Sequence, residues 1–217
     1  VERLRAKGIP VTLTQEAANV GPADLVVYTS AVGSDNPEVQ AAHRRCIPLR
    51  ERGQVLGLLT GEFDNTVGVA GTHGKTTATS MLAQILIGAG LDPTVFIGGR
   101  LPLIEANGRA GRSQTMVCEA CEFQDHYLSL HPAVAVILNV DADHLDYFGN
   151  LDGVIASFHR FGVASRCGQC RRLQRPAGAG GDRLFWRQTA NHLQHGGRAG
   201  RLDSAPLPHG EGSLRYV

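Results

Sequence analysis

The feature that most constrains the fold of this chain is a glycine-containing loop between a strand candidate and a helix candidate. Residues 66–70 (TVGVA) are mostly apolar and β-branched, which predicts a buried strand. The loop GTHGKT follows at 71–76, and the apolar residues after it recur at helical spacing up to Gly88. A strand, a tight turn and a helix in this order predict an α/β fold with a parallel sheet.

The chemistry of the loop is that of an anion site. Gly71 and Gly74 permit the turn, so that backbone N–H groups and the positive end of the helix dipole face a phosphate. Lys75 would reach the terminal phosphates of ATP, and the Thr76 hydroxyl would bind Mg²⁺. The predicted nucleotide-binding residues are Gly71, Thr72, His73, Gly74, Lys75, Thr76 and Thr77. Val69 stands where the usual G-x-x-x-x-G-K-[ST] motif has its first glycine. The alternative is therefore a strand-to-helix turn that contains glycines but binds no phosphate.

Acidic residues and a histidine follow two other strand candidates. Glu119 ends the first, in VCEACE at 117–122, and His144 lies in NVDADHLD at 139–146, after the apolar run AVAVIL. Because α/β folds bind ligands at the carboxyl ends of their strands, we predict that Glu119 lies beside Thr76 and binds the same Mg²⁺. His144 is predicted to bind a second cation or a phosphate. The alternatives are a solvated glutamate and a structural histidine.

The apolar positions of the helix after the loop predict which face it buries. Met81, Leu82, Ile85 and Leu86 fall on one side at helical spacing. We therefore expect this face to pack on the sheet.

Composition divides the chain near residue 162. Residues 164–217 contain nine Arg against three acidic residues, about +6 by count, and nine Gly with no Ile. Such a segment buries little apolar surface, which predicts disorder. Reading its codons one base later can restore a hydrophobic sequence, so an out-of-frame tail is our second interpretation. The rival hypothesis is a basic tail that binds nucleic acid.

The remaining composition describes an ordinary globular protein. The net charge of +1 predicts no nucleic-acid partner, and the longest apolar runs are too short for a membrane span. The five cysteines include two C-x-x-C pairs, whose separation exceeds that of typical zinc ribbons. A reduced, cytoplasmic setting is the simpler interpretation.

Several motifs together resemble one family. GTHGKTT at 71–77, EACE at 119–122 and NVDADHLDYF at 139–148 resemble the Mur ligases of peptidoglycan synthesis. The upstream stretches at 28–42 and 90–99 resemble them too. The resemblance covers residues 1 to about 161.

This resemblance implies an ADP-forming ligase that joins an amino acid to a carboxylate of a UDP-sugar through an acyl phosphate. Carried onto the matching positions, Lys75 binds ATP phosphates, Thr76 and Glu119 hold one Mg²⁺, and His144 helps to hold a second. Lys75 and His144 are thus the expected catalytic residues, and His73 is expected to face the UDP-sugar. The His73 form of the loop is most similar to the branch that joins L-alanine to UDP-N-acetylmuramate, which makes these the expected partners.

The family has three domains, and the resemblance covers parts of two. We expect residues 1–63 to be the end of a Rossmann-like UDP-sugar domain and 64–163 to be the start of the ATP-binding central domain. Residues 164–217 form the tail, and we expect the chain alone to be inactive. The alternatives are a sister ligase that attaches a peptide to UDP-N-acetylmuramate, a folylpolyglutamate- or cyanophycin-type ligase, which His73 disfavours, and a non-catalytic ATP- or metal-binding module.

Overall fold

The structure is a computed structural model that describes residues 1–165, 171–172 and 214–216. The chain divides into two compact units that meet in sequence between Val55 and Leu56. Its fold class is the α/β class that the sequence predicted, with two separate sheets whose strands are mostly parallel. The predicted tail lies outside the described residues, apart from its first two residues and two short strands.

The described residues contain six α-helices and nine strands. The helices are α1 (Glu2–Ala6), α2 (Pro37–Arg44), α3 (Arg52–Gly61), α4 (Lys75–Gly88), α5 (Leu145–Phe148) and α6 (Leu151–Val163). The strands are β1 (Leu25–Tyr28), β2 (Leu49–Glu51), β3 (Asn65–Ala70), β4 (Thr94–Leu101), β5 (Ala106–Arg109), β6 (Thr115–Glu119), β7 (Val134–Ile137), β8 (Arg171–Arg172) and β9 (Leu214–Tyr216).

The first unit contains a small parallel sheet in the order β2-β1-β9. Helix α2 begins at Pro37, because the Asn36 side chain accepts hydrogen bonds from the backbone N–H groups of Glu38 and Val39 at 2.8 and 3.3 Å. Val26 and Ala42 are fully buried in the small core of this unit.

The second unit contains a six-stranded sheet in the order β5-β4-β6-β3-β7-β8. Its strands are parallel except for β5, which pairs antiparallel with β4. Strand β3 lies between β6 and β7, so the carboxyl ends of these three strands lie side by side. The loop after β3, Glu119 at the end of β6 and the segment that follows β7 therefore lie at one edge of the sheet.

An aromatic cluster forms the core beneath this edge. The Tyr127 ring stacks on Phe161 at a centroid distance of 4.6 Å and meets Phe158 edge-on at 5.5 Å. The Tyr127 hydroxyl is 2.8 Å from Ser157 Oγ, so its buried polar group is satisfied. This cluster fixes α6 against the segment that follows β6.

The predicted apolar face of α4 is wrong in part. Met81 and Ile85 are exposed, whereas Thr79 and Ala83 are fully buried. The side chains that α4 buries here are small, and small side chains let a helix pack closely on a sheet.

Among the described residues, no helix has both the length and the apolar composition needed to cross a membrane.

Candidate nucleotide-binding site

The loop that follows β3 uses both of its glycines for a physical reason. Gly71 has a φ of +140°, and a Cβ there would lie 3.0 Å from Leu138 Cβ and 3.2 Å from the Asn139 nitrogen. Gly74 has a φ of +83° and directly precedes α4. Both conformations favour glycine. The loop therefore needs the G-x-x-G spacing, although the first glycine of the usual motif is replaced by Val69.

The N-terminus of α4 is open toward the loop. No side chain of the described residues caps it, so the first-turn N–H groups keep their hydrogen-bonding capacity and the positive end of the helix dipole is unopposed. Thr76 and Thr77 are exposed on this first turn. An uncapped helix start behind a glycine turn is suited to an anion.

Asn139 shapes the loop from the end of β7. Its carbonyl oxygen and its side-chain Oδ1 accept hydrogen bonds from the N–H groups of Thr72 and His73 at 3.2 and 2.8 Å. Its Nδ2 donates to the His73 carbonyl at 2.9 Å. The sequence offered Asn139 only as part of the NVDADHLD motif, and its position directly after a buried strand was the available signal.

Lys75 is folded back onto its own loop. Its Nζ donates to the carbonyls of Gly71 and Thr72 at 2.7 and 3.2 Å and to Glu122 Oε1 at 2.8 Å. The Lys75 and Glu122 side chains are only 15% and 4% exposed, so this is a nearly buried ion pair. The sequence analysis did not predict this ion pair.

The second oxygen of Glu122 has no hydrogen-bond partner among the described residues, although it is buried. Glu122 precedes a short 3₁₀ segment, Phe123–Ser129, in which Gln124 and Asp125 have positive φ angles of 50° and 59°. Asp125 accepts a hydrogen bond from Arg160 at 2.7 Å and a short one from Ser157. Helix α6 thus supports the strained turn that follows Glu122.

Thr76 and Glu119 lie together, as the sequence predicted. Thr76 Oγ1 is 3.1 and 3.0 Å from the two carboxylate oxygens of Glu119, which is the last residue of β6. The Gly98 N–H in β4 donates to Glu119 Oε2 at 2.7 Å. A Cβ on Gly98 would lie only 2.9 Å from that oxygen, so the glycine permits the contact. Gly98 was not among the predicted site residues.

The hydroxyl of Thr76 and the carboxylate of Glu119 are hard oxygen donors of the kind that Mg²⁺ prefers. Mg²⁺ sites that also use substrate phosphates need only one or two carboxylates. The structure places no cluster of three or more His, Cys, Asp or Glu side chains suitable for a metal among the residues it describes. The Thr76 hydroxyl and the Glu119 carboxylate therefore fit a Mg²⁺ site that substrate phosphates complete.

The two histidines contact residues other than Thr76 and Glu119. His144 precedes α5 with a φ of 52°, its Nδ1 is 3.9 Å from Asp143 Oδ1, and its ring meets Phe123 edge-on at 5.2 Å. His73 is exposed, with Nε2 3.9 Å from Asp141 Oδ2. The roles assigned to these histidines stay predictions.

The two cysteines of the EACE region lie in different surroundings. Burial raises the pKa of Cys118 to about 12. Desolvation also raises the pKa of Cys121, whose thiol is influenced by the charges of Glu122, Lys75 and Glu119. Cys121 therefore shares the electrostatic environment of the candidate site.

Two family models match the chain. Residues 1–64 match the model described as "Mur ligase family, catalytic domain" and residues 69–168 match "Mur ligase middle domain".

Curated relatives match the same part of the chain. The chain is 48% identical over 161 residues to a UDP-N-acetylmuramate–L-alanine ligase from Caldanaerobacter subterraneus, which covers 74% of this chain. It is 48% identical over 158 residues to the ligase of the same name from Aquifex aeolicus. Each match covers 35% of the relative, so the chain spans about a third of the length of these proteins.

Solved structures agree with the sequence matches. The crystal structure of a UDP-N-acetylmuramate–alanine ligase from Thermotoga maritima superposes with a TM-score of 0.70 at 32% identity, over 76% of this chain and 39% of that one. The ligase for UDP-N-acetylmuramate and L-alanyl-γ-D-glutamyl-meso-diaminopimelate from Neisseria meningitidis superposes with a TM-score of 0.65 at 30% identity, over 76% and 56%. The chain therefore belongs to the Mur ligase family.

Proposed function

We infer that this chain is part of an ATP-dependent ligase that joins L-alanine to UDP-N-acetylmuramate in peptidoglycan synthesis. The observation that carries the proposal is the convergence of Lys75, Thr76 and Glu119 at the carboxyl ends of β3 and β6. The names of the relatives that share 48% identity support the choice of substrates.

The chain's own residues would bind and orient the phosphates of ATP. The uncapped first turn of α4 and the Gly71–Gly74 turn supply N–H donors, and Lys75 supplies a positive charge next to them. Such positioned donors stabilise the charge that develops as the γ-phosphoryl group passes to the carboxylate of the UDP-sugar. The amine of the amino acid then attacks the acyl phosphate, which forms the amide and releases phosphate.

Thr76 and Glu119 would hold a Mg²⁺ ion, which would offset negative charge on the phosphates. Their mutual contact and the Gly98 N–H fix the carboxylate in place before the ion arrives. His144 is proposed to help hold a second cation, on the family resemblance alone.

The domain boundaries and the setting belong to the same proposal. We assign residues 1–63 to the UDP-sugar domain, 64–163 to the ATP-binding domain and 164–217 to a tail, and we place the protein in the cytoplasm. Because the chain spans about a third of its relatives, we expect this polypeptide alone not to complete the ligation. The Neisseria structure favours one second candidate, a ligase that attaches a peptide instead of L-alanine.

A chimaera tests the proposal. The 161-residue segment that matches the Caldanaerobacter ligase would replace its counterpart in that enzyme. We expect ADP formation that requires both UDP-N-acetylmuramate and L-alanine and that falls at least about a hundredfold with Lys75→Ala. A folded chimaera that forms no ADP with either L-alanine or the peptide would contradict the proposal. A second chimaera places the same segment in the Neisseria ligase, and activity in that enzyme alone would favour the second candidate.

A further inference from the structure

The ammonium group of Lys75 has no hydrogen left for a ligand. An ammonium carries three N–H donors, and the carbonyls of Gly71 and Thr72 and the carboxylate of Glu122 accept three hydrogen bonds from it. A phosphate that binds Nζ must therefore replace one of these three acceptors.

Of the three acceptors, Glu122 is the one that an incoming phosphate would most favourably replace, because of its charge. The two carbonyls are neutral and belong to the loop itself, whereas Glu122 is a carboxylate on the segment after β6. A phosphate oxygen and Glu122 Oε1, each about 2.8 Å from the same nitrogen, would be at most about 5.6 Å apart. Two anions at that distance repel each other, so binding of a phosphate and retention of Glu122 oppose each other.

The unpartnered oxygen makes this exchange easier. Glu122 Oε2 is buried without a donor among the described residues, and a buried carboxylate oxygen in this state is destabilised relative to one in water. If Glu122 moves outward as phosphate enters, its second oxygen regains hydration. Lys75 meanwhile keeps an anionic partner, so neither charge is left buried alone.

We propose that Glu122 is a positioning residue that holds Lys75 against the loop carbonyls while the site is empty and yields it to an incoming phosphate. This inference rests on the proposed ATP site. It assigns Glu122 the role of an internal anion that pairs with Lys75 until a phosphate replaces it.

The size of the effect follows from the geometry. At an effective dielectric constant of about 20, two unit charges about 5.6 Å apart change a dissociation constant by about a hundredfold. Because Glu122 can move toward water, we expect part of this effect, about tenfold.

The test is calorimetric titration of the 217-residue chain with ATP in EDTA, which isolates the phosphate contact from any metal. Glu122→Gln keeps an acceptor for Nζ but removes the charge, and we expect ATP to bind about tenfold more tightly. Glu62→Gln removes an exposed negative charge elsewhere in the same unit and should change nothing. Glu122→Ala is the second charge-removing variant if Glu122→Gln does not fold.

The outcomes separate the two proposals. Tighter ATP binding in Glu122→Gln or Glu122→Ala, with unchanged binding in Glu62→Gln, supports the role of Glu122. A folded Glu122→Gln chain that binds ATP equally or more weakly than the unsubstituted chain overturns this inference. If Lys75→Ala still abolishes ATP binding by the unsubstituted chain, the proposed function stays intact. Absence of ATP binding in every chain, with and without Mg²⁺, contradicts the proposed function, and the inference falls with it.

Discussion

A methyl group placed on Gly98 should weaken the metal contact without unfolding the protein. In Gly98→Ala the new Cβ would lie 2.9 Å from Glu119 Oε2 and 3.0 Å from Oε1, and ordinary contacts begin at about 3.4 Å. Something must therefore move by about 0.5 Å. The carboxylate is the end of a flexible side chain, so it moves more cheaply than the backbone does.

The cost of that movement can be worked from the contacts of Glu119. Its displacement lengthens and weakens the 2.7 Å hydrogen bond from the Gly98 N–H and loosens the contact with Thr76. A hydrogen bond to a charged group contributes about 1.5–3 kcal/mol, or about tenfold to a hundredfold in affinity. The loss of a group that orients a metal ligand has a similar effect on metal affinity.

The assay compares ATP affinity in Mg²⁺ with ATP affinity in EDTA. In Gly98→Ala we expect the gain in affinity that Mg²⁺ provides to fall by up to about tenfold, while the affinity in EDTA changes little and the protein stays folded. Gly88→Ala is the control, because a Cβ on Gly88 meets nothing within 4 Å. An equal loss of ATP affinity in EDTA would refute the reasoning, since the damage would then lie in the loop and not at the carboxylate.

Two further predictions concern stability. Burial raises the pKa of Cys118 from 9.0 to about 12, so its thiol stabilises the folded state below pH 9 and this contribution is lost as the pH rises toward 12. Urea unfolding from pH 8 to 12 should show the decline, and Cys118→Ala should reduce it; an unchanged slope would argue against burial as the cause. Tyr127→Phe removes the hydroxyl contact with Ser157 but keeps the stacked rings, and should lower the free energy of unfolding by about 1 kcal/mol. A loss above about 3 kcal/mol in urea would mean that the ring packing had also changed.

The sequence predicted the parts of the site that local chemistry determines. A turn that needs two glycines, a lysine and threonine at the start of a helix, and a glutamate at the end of a strand are all visible as short patterns. Parallel pairing of β3 with β6 then brings Thr76 and Glu119 together, because the carboxyl ends of neighbouring parallel strands share an edge.

The parts that the sequence did not reveal depend on tertiary packing. The buried Glu122 directly precedes the turn at Gln124 and Asp125, and Asp125 is held by α6 residues that lie 32 and 35 positions away in sequence. No local pattern marks that support.

The face of α4 was mispredicted because hydrophobicity alone does not report how closely a helix approaches its sheet. Ala83 packs in the interior while Ile85 is 64% exposed. Size decided which residues face the sheet.

The measurement that tests the central claim most directly is ATP binding in the presence of Mg²⁺, by calorimetry, to the unsubstituted chain and to Lys75→Ala. Lys7→Ala is a matched control, since Lys7 and Lys75 are the two lysines of the sequence and Lys7 is exposed near the start of the first unit. We expect ATP binding that survives Lys7→Ala and disappears with Lys75→Ala. Binding that Lys75→Ala leaves unchanged, or its absence from the folded unsubstituted chain, would contradict the claim that this loop holds the phosphates of ATP.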